Sequence, residues 1–550
     1  MDNWKLIRGP AGRAYRRALG QMEQCFYWDG QFAGTADTLQ HIILRVDPAT
    51  SNLENISRAW CVTKQRHPLL AARIEEHTYQ EQDFVVEEQR LSSSLPGEIS
   101  FDSVSSTDEA HEYADRIING PRQITNDTLA RLQVLRRTDD ARAVHLLIQV
   151  AHLITDGMGN LALLRTLLEA LSKPDIDVGS LEDRLWLARS SDAVKADKSQ
   201  SVAKQRWHRI MGIVLVELRM AKHTGGHTLP RKVSAATPLT PARSRYLHTT
   251  FTPSESKKII QSCREQRVTF GKRLPCSRAA MTRVLHRLYL ARQISPEEWF
   301  FRQREPFMPG GPLNQRPFLD PEWYSCGGAS TVNLAISFFY NRLPAIPGGT
   351  RPGVEGQVPS HNQLLSRARF FYRARIMKAQ ANAFLRHPRH VDIHFARMPK
   401  RIESVAAHVE KWRALQRSDT SIGLSTQPIS ATEQAKGPNF VMAFGGSSMG
   451  SVSISPNSLA LESLLPLAYP PKSPQPTIEV MASHTRLRTR PMELYLGAAT
   501  FRGELNLYVH YDGNVYEDAL VREWLDEIRS AVRWYLDGVD HGQDGIMAKL

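Results

Sequence analysis

Apolar and polar positions change period several times along the chain, and each change predicts an element. Residues 39–46 (LQHIILRV) are β-rich and predict a strand. Ser51-Asn52-Leu53-Glu54 then has capping-box spacing, with Ser51 capping the third helical N–H and Glu54 reaching back. Ile56 and Trp60 follow on one helical face. His67-Pro68 ends that helix, because proline disfavours helical backbone at the residue before it. Residues 129–135 and 144–151 predict two further strands. The second is a near-continuous apolar run, as expected of a strand covered on both faces. After a turn, Leu161, Leu164, Leu168 and Leu171 form the single stripe of a helix.

Residues 185–245 are polar and basic, with an amphipathic helix near 200–222 followed by Thr-Gly-Gly and proline punctuation. They read as a bridge between two lobes: residues 1–185, then a linker at 186–243, then residues 244–550. The second lobe shows a strand at 246–251 and helices at 253–266 and 278–292. Residues 298–330 read as a long Pro/Gly-rich loop. Strands follow at 332–340, 439–444, 451–454, 477–482, 494–500 and 505–511. In the last of these, Leu505, Leu507, Val509 and Tyr511 alternate with more polar neighbours. A helix at 517–535 closes the lobe, and residues past Gly538 read as a loose tail.

The 550 residues are 41% hydrophobic, enough for two cores and too much for a disordered chain. Lys+Arg is 70 and Asp+Glu 56, a net charge of +14. That excess suits an anionic ligand as well as it suits a solvated surface, and no nucleic-acid-binding module accompanies it. The five cysteines include no CxxC pair, which leaves zinc-ribbon and thioredoxin-like motifs without support and suits a reducing compartment. The first twenty residues lack an apolar signal core, and no run approaches the length of a membrane span. A soluble, cytoplasmic, monomeric protein is the expectation.

The chemistry concentrates at 150–159, VAHLITDGMG, where an apolar strand ends and the leucine-striped helix begins. A chain of this composition holds about one HxxxD by chance, and the added glycine lowers that to about 0.05. An imidazole at a strand end stands on a rigid platform and titrates near neutrality, as a general base should. His152 is therefore the candidate catalytic residue. Asp156 is assigned a structural role, turned away from the cleft and held by a buried arginine, and Gly157 a close backbone approach. The bland alternative is a satisfied core histidine beside a helix-capping aspartate.

The motif resembles the HHxxxDG signature of the chloramphenicol-acetyltransferase-like superfamily, which includes peptide-synthetase condensation domains, alcohol acetyltransferases and, as HxxxD, plant BAHD enzymes. The resemblance extends over about residues 16–535. Arg17 to Glu23 (RALGQME) is similar to the opening R-x-L-G-x-x-E of the alcohol-acetyltransferase-like branch, and Arg66 to Leu70 (RHPLL) to the RHPxL helix exit. Pro312 to Pro317 (PLNQRP) is similar to the segment whose arginine, here Arg316, pairs with the motif aspartate. Phe444 to Gly450 (FGGSSMG) is similar to the strand that lines the acyl tunnel, which makes Ser447 and Ser448 tunnel and oxyanion candidates. Phe501 to Leu507 is similar to the closing strand. Two departures stand out: Ala151 occupies the first histidine position, and the BAHD DFGWG is absent. The nearest branch by this resemblance is the fungal O-acyltransferases of secondary metabolism.

The resemblance implies a two-lobe α/β pseudo-dimer, each lobe a mixed sheet flanked by helices, with a tunnel between lobes. It implies transfer of an acyl group, acetyl first, from acyl-CoA to a hydroxyl of a small-molecule acceptor, with no tightly bound cofactor. A carrier-protein-bound donor, or a proton-transfer reaction such as cyclisation or dehydration on the same fold, stays open. A serine hydrolase built on G-x-S-x-G at Ser448 is the remote alternative; its Asp-then-His order is poor, since Asp512 is followed only by His541 in the tail. Metal catalysis has little support, since His390 and His394 lack the HExxH glutamate and read as surface residues.

Overall fold

The computed structural model describes residues 4–9, 12–78, 81–195, 201–268, 274–346, 356–417, 424–436, 441–446, 448–449, 465–471 and 473–537. Three sheets organise them. Thr38–Val46 and Ala143–Val150 pair antiparallel at the centre of a six-stranded sheet, with Thr38 opposite Val150. Leu53–Arg66 and Gly157–Ser172 pack together on one face, where Ile56, Trp60, Ile148, Leu164 and Leu168 share a core. Thr107–Asn119 covers part of the other face through Ala110, Ala114, Ile117 and Ile118. A seven-stranded sheet forms the second lobe. Helices Pro253–Glu265, Leu274–Leu290, Arg367–Leu385 and Asp518–Leu536 share its core. Its opposite face turns to the first lobe, and Phe338, Ala499 and Phe501 pack against the first core. A four-stranded sheet made from Lys5–Gly9, Gly12–Ala18, Glu81–Glu87 and Arg73–Thr78 flanks the first lobe.

Several expectations need correction. The strand foreseen at 477–482 is longer, Ile478–Leu487, and it joins the first lobe's sheet by pairing antiparallel with Thr38–Val46. The second stretch of chain therefore crosses back, and residues 244–550 are not one self-contained lobe. Residues 298–330 hold order instead of a loop: Pro296–Arg304 is helical and Pro309–Asn314 is a strand. The amphipathic helix expected near 200–222 is present as Val202–Met220 and needs no correction. Asn52, not Ser51, caps Leu53–Arg66, accepting from the Asn55 N–H at 2.8 Å. His390 and His394 are buried, against Phe318 and Phe384 for the first and Phe395 for the second, not on the surface. The strand at 451–454 and the tail after 538 lie outside the described residues.

A polar seam joins the two sheets. His41 and His145 occupy inward positions on the central strands, both fully buried, and their ring nitrogens meet at 2.9 Å. His111, His484, His248 and Tyr246 continue the contact, with neighbouring ring centroids 4.9–6.4 Å apart, and His510 lies tilted against Tyr246 at 5.1 Å. Arg486 reaches into this cluster, pairing with Asp115 and His111.

Candidate active site

The HxxxDG segment forms where the central strand Ala143–Val150 runs out. Ala151 continues the pairing with the Leu129 carbonyl at 2.9 Å, and His152–Ile154 makes one tight 3-10 turn. Helix Gln21–Gln31 packs on this turn, and Phe26 lies flat on the His152 ring, centroids 4.3 Å apart. The Arg17–Glu23 pair, a doubled contact at 2.7 Å, fixes the start of that helix, where Glu23 also accepts the Gly20 N–H. Both side chains are buried. The opening sequence motif thus works by placing Phe26 against the imidazole.

His152 is partly exposed, and its Nδ1 is buried with no hydrogen-bond partner among the described residues. No carboxylate orients it, unlike the histidine of a Ser-His-Asp triad. Burial lowers its pKa, and the nearby Arg490 charge acts the same way. The ring is therefore neutral at physiological pH, the form a general base needs.

Asp156 explains why the aspartate is not that orienting group. Its Oδ1 caps the motif helix, accepting Met158 N–H at 3.0 Å and Gly159 N–H at 2.9 Å. Oδ2 accepts the Ala335 N–H at 2.8 Å, from the second lobe. Arg316 Nη1 donates to both oxygens at 2.9 and 2.8 Å, and its Nη2 donates to the Asn333 carbonyl at 2.7 Å. Asp156 and Arg316 are both essentially without solvent access. The pair fastens the motif turn to the second lobe's Arg316–Phe318 turn. Removing one partner leaves an uncompensated buried charge, so Asp156→Asn or Arg316→Met should each cost about 3–5 kcal/mol. Chemical denaturation checks this, and a loss below about 1 kcal/mol contradicts it.

The close approach expected at Gly157 occurs at Gly159. Gly157 is exposed at the first helical position, whereas a Cβ on Gly159 would lie 2.6 Å from Thr155 Oγ1 and 3.2 Å from the Asn333 carbonyl. Ser447 lies outside the described residues. Ser448 belongs to the short strand Ser448–Met449, which pairs parallel with Ala498 and Ala499. The hydrolase alternative loses its acid: Asp512 Oδ1 accepts the Arg243 and Asn514 N–H groups and Oδ2 the Met492 N–H. His541 is outside the described residues. No group of three His, Cys, Asp or Glu able to hold a metal occurs among the described residues.

Sequence reasoning missed the charged groups around the imidazole. Arg490 lies over the other ring contact of this stack, 5.6 Å from the Phe26 centroid, and pairs with Asp29 at 2.6 Å. Arg401 rests over Phe338 at 4.9 Å, beside Cys25. Burial pushes the Cys25 thiol up despite Arg401, which keeps it protonated and unsuited to act as a nucleophile. Asp29 one helical turn after Cys25 was the available signal, since a charge on an otherwise apolar face demands a partner. Arg490 also borders a groove of about 520 Å³, lined by Arg231, Ile429, Met442, Glu493 and Tyr516 among others. That volume suits a small-molecule ligand.

No family model matches the chain, and no curated protein matches it. Solved structures do. A trichothecene 15-O-acetyltransferase from Fusarium sporotrichioides aligns at 14% identity over 97% of this chain and 98% of its own, with a TM-score of 0.68. The EpoB nonribosomal-peptide-synthetase cyclization-docking bidomain from Sorangium cellulosum aligns at 15% over 98% and 88%, TM-score 0.58. The starter condensation domain of rhizomide synthetase, solved with C8-CoA, aligns at 11% over 96% and 97%, TM-score 0.57. At these identities the likeness is one of fold, and the chain has the two-lobe α/β fold of the chloramphenicol-acetyltransferase-like and condensation-domain proteins.

Proposed function

We propose that the protein is an acyltransferase that moves an acyl group, acetyl first, from acyl-CoA to a hydroxyl of a small-molecule acceptor, with His152 as general base. The observation that carries this reading is the division of labour in the motif. Asp156 is consumed by Arg316, Ala335 and the helix N-terminus, while the neutral His152 ring stands at the junction of the lobes. His152 is partly exposed, unlike the fully buried histidines of the core, and its buried Nδ1 makes no hydrogen bond, which leaves Nε2 as the nitrogen to serve a substrate.

In the proposed reaction the acceptor oxygen attacks the thioester carbon as His152 takes the hydroxyl proton. The tetrahedral intermediate collapses, the C–S bond breaks, and the imidazolium returns the proton to the departing thiolate. Phe26 holds the ring in plane throughout. Ser448, or its neighbour Ser447, is the proposed donor to the oxyanion. Cationic residues would meet the CoA phosphates, and Arg231 at the groove is a candidate for that role. A proton-transfer reaction is the second reading, favoured by the fold shared with a cyclization domain.

The test is thiol release from acetyl-CoA in the presence and absence of an alcohol pool, followed by longer acyl-CoAs and a carrier-protein thioester. Alcohol-dependent release from any CoA donor supports the assignment. Release from the carrier-protein thioester alone replaces the donor, and no release from any donor rejects acyl transfer.

A further inference from the structure

Twelve large hydrophobic side chains are prominently exposed among the described residues, and six of them lie on one helix, Val202–Met220. Scattered exposed apolar residues are ordinary on a protein surface, but a contiguous strip of them is not. The helix is held to the body along a narrow stripe. His208, Gly212 and Val216, spaced at i, i+4 and i+8, are its buried residues, and it packs on His390–Ala396. Gly212 permits the contact, since a Cβ there would stand 3.0 Å from the Asp392 carbonyl and 3.1 Å from the Ala396 Cβ.

The face opposite that stripe is apolar. Trp207 (60% exposed), Ile210 (54%), Val214 (45%) and Leu218 (58%) follow one another at spacings of three and four, and Ala203 extends the line. At 100° per residue these five fall within one sector pointing away from the body. Lys204 and Lys222 flank it on one side, Arg206 and Arg209 on the other, all exposed. Glu217 is the single acidic residue of the helix. The helix is about 28 Å long and is too charged to cross a bilayer. An apolar sector bearing tryptophan, rimmed by cations and lying parallel to the protein surface, matches an interfacial helix.

We propose that Val202–Met220 docks the protein on an anionic membrane surface, with Trp207, Ile210, Val214 and Leu218 entering the headgroup–acyl boundary. Charge selects this occupant. A second copy on the same face would bring Lys204, Arg206, Arg209 and Lys222 against their counterparts, with only Glu217 to offset them. Anionic headgroups complement all four, and the chain's +14 charge acts in the same direction. The inference is independent of the acyl-transfer reading.

The test is co-sedimentation of the full chain with phosphatidylcholine vesicles containing phosphatidylserine, against phosphatidylcholine alone, at low and high salt. Wild type is expected to bind the anionic vesicles at least about tenfold more tightly than the neutral ones, and less tightly at high salt. A Trp207→Gln, Ile210→Gln, Leu218→Gln triple variant changes only exposed positions. It is expected to keep its melting temperature and lose binding at least about tenfold. Absence of binding to anionic vesicles overturns the proposal, as does undiminished binding by the triple variant. Concentration-dependent dimerisation by light scattering, abolished in the triple variant and without vesicle binding, assigns the face to a second copy instead.

Discussion

Acidification from about pH 7.5 to about pH 5 is expected to unfold the protein, through the histidine seam between its sheets. Burial lowers the pKa of His484 and His510 to about 3 and of His145 to about 4, and it depresses His41, His111 and His248 as well. Mutual repulsion adds to this for His41 and His484, and the Arg486 charge acts on most of the cluster. Arg137, Asp139, Asp108, Asp115 and Tyr246 are the other titratable groups facing it. The sign follows from proton counting. In the unfolded chain each ring takes up a proton near pH 6.5, whereas in the fold His145, His484 and His510 stay neutral to about pH 3–4. The seam's contribution is therefore complete above pH 6.5 and declines below it. Each such histidine costs about 1.4 kcal/mol per pH unit below 6.5, so these three together withdraw about 6 kcal/mol by pH 5, comparable with a typical domain's stability. His67 and His394, outside the seam and lowered to about 3 by burial, act in the same direction. Thermal melts across this range check the expectation. A melting temperature unchanged between pH 7.5 and pH 5 would remove the seam from the account, and His484→Gln should flatten the dependence by about one proton.

His152→Ala is expected to lower kcat for acyl transfer roughly 100- to 10,000-fold, the range for loss of a general base. The substitution removes a partly exposed ring that makes no hydrogen bond through Nδ1, so the fold should survive it with only the Phe26 stacking lost. The pH profile separates this role from a merely structural one. Burial holds the His152 pKa below its ordinary value. The base form therefore persists below pH 6.5, and kcat/KM should stay flat from about pH 8 down to the pH at which the seam gives way. An activity that halves above pH 6.5 while circular dichroism is unchanged would contradict His152, with its lowered pKa, as the base.

The central strands, the motif turn and the motif helix were legible because each has one unbroken period. Val144 to Val150 is apolar but for His145 and Gln149, and Leu161 to Leu171 keeps a single stripe. The crossover of Ile478–Leu487 was not legible. Its alternation fits an edge of either sheet, and the choice of Thr38–Val46 as partner is a long-range packing outcome. The seam was hidden for a related reason, since His41, His145 and His484 come from three separate strands. Polar residues at inward positions of apolar strands were the one signal. Arg367–Leu385 was obscured by its arginines, whose aliphatic stems pack while their charges do not: Arg373 is buried and donates to the Pro344 and Ala345 carbonyls. The Asp156–Arg316 contact spans 160 residues, so only the family resemblance pointed to Arg316.

The most direct test of the account compares wild type with His152→Ala, matched for melting temperature, in transfer of radiolabelled acetyl groups from acetyl-CoA to an alcohol pool. The account predicts label in an organic-soluble ester with wild type and a loss of at least about 100-fold in the variant. Equal transfer by the two proteins would contradict it.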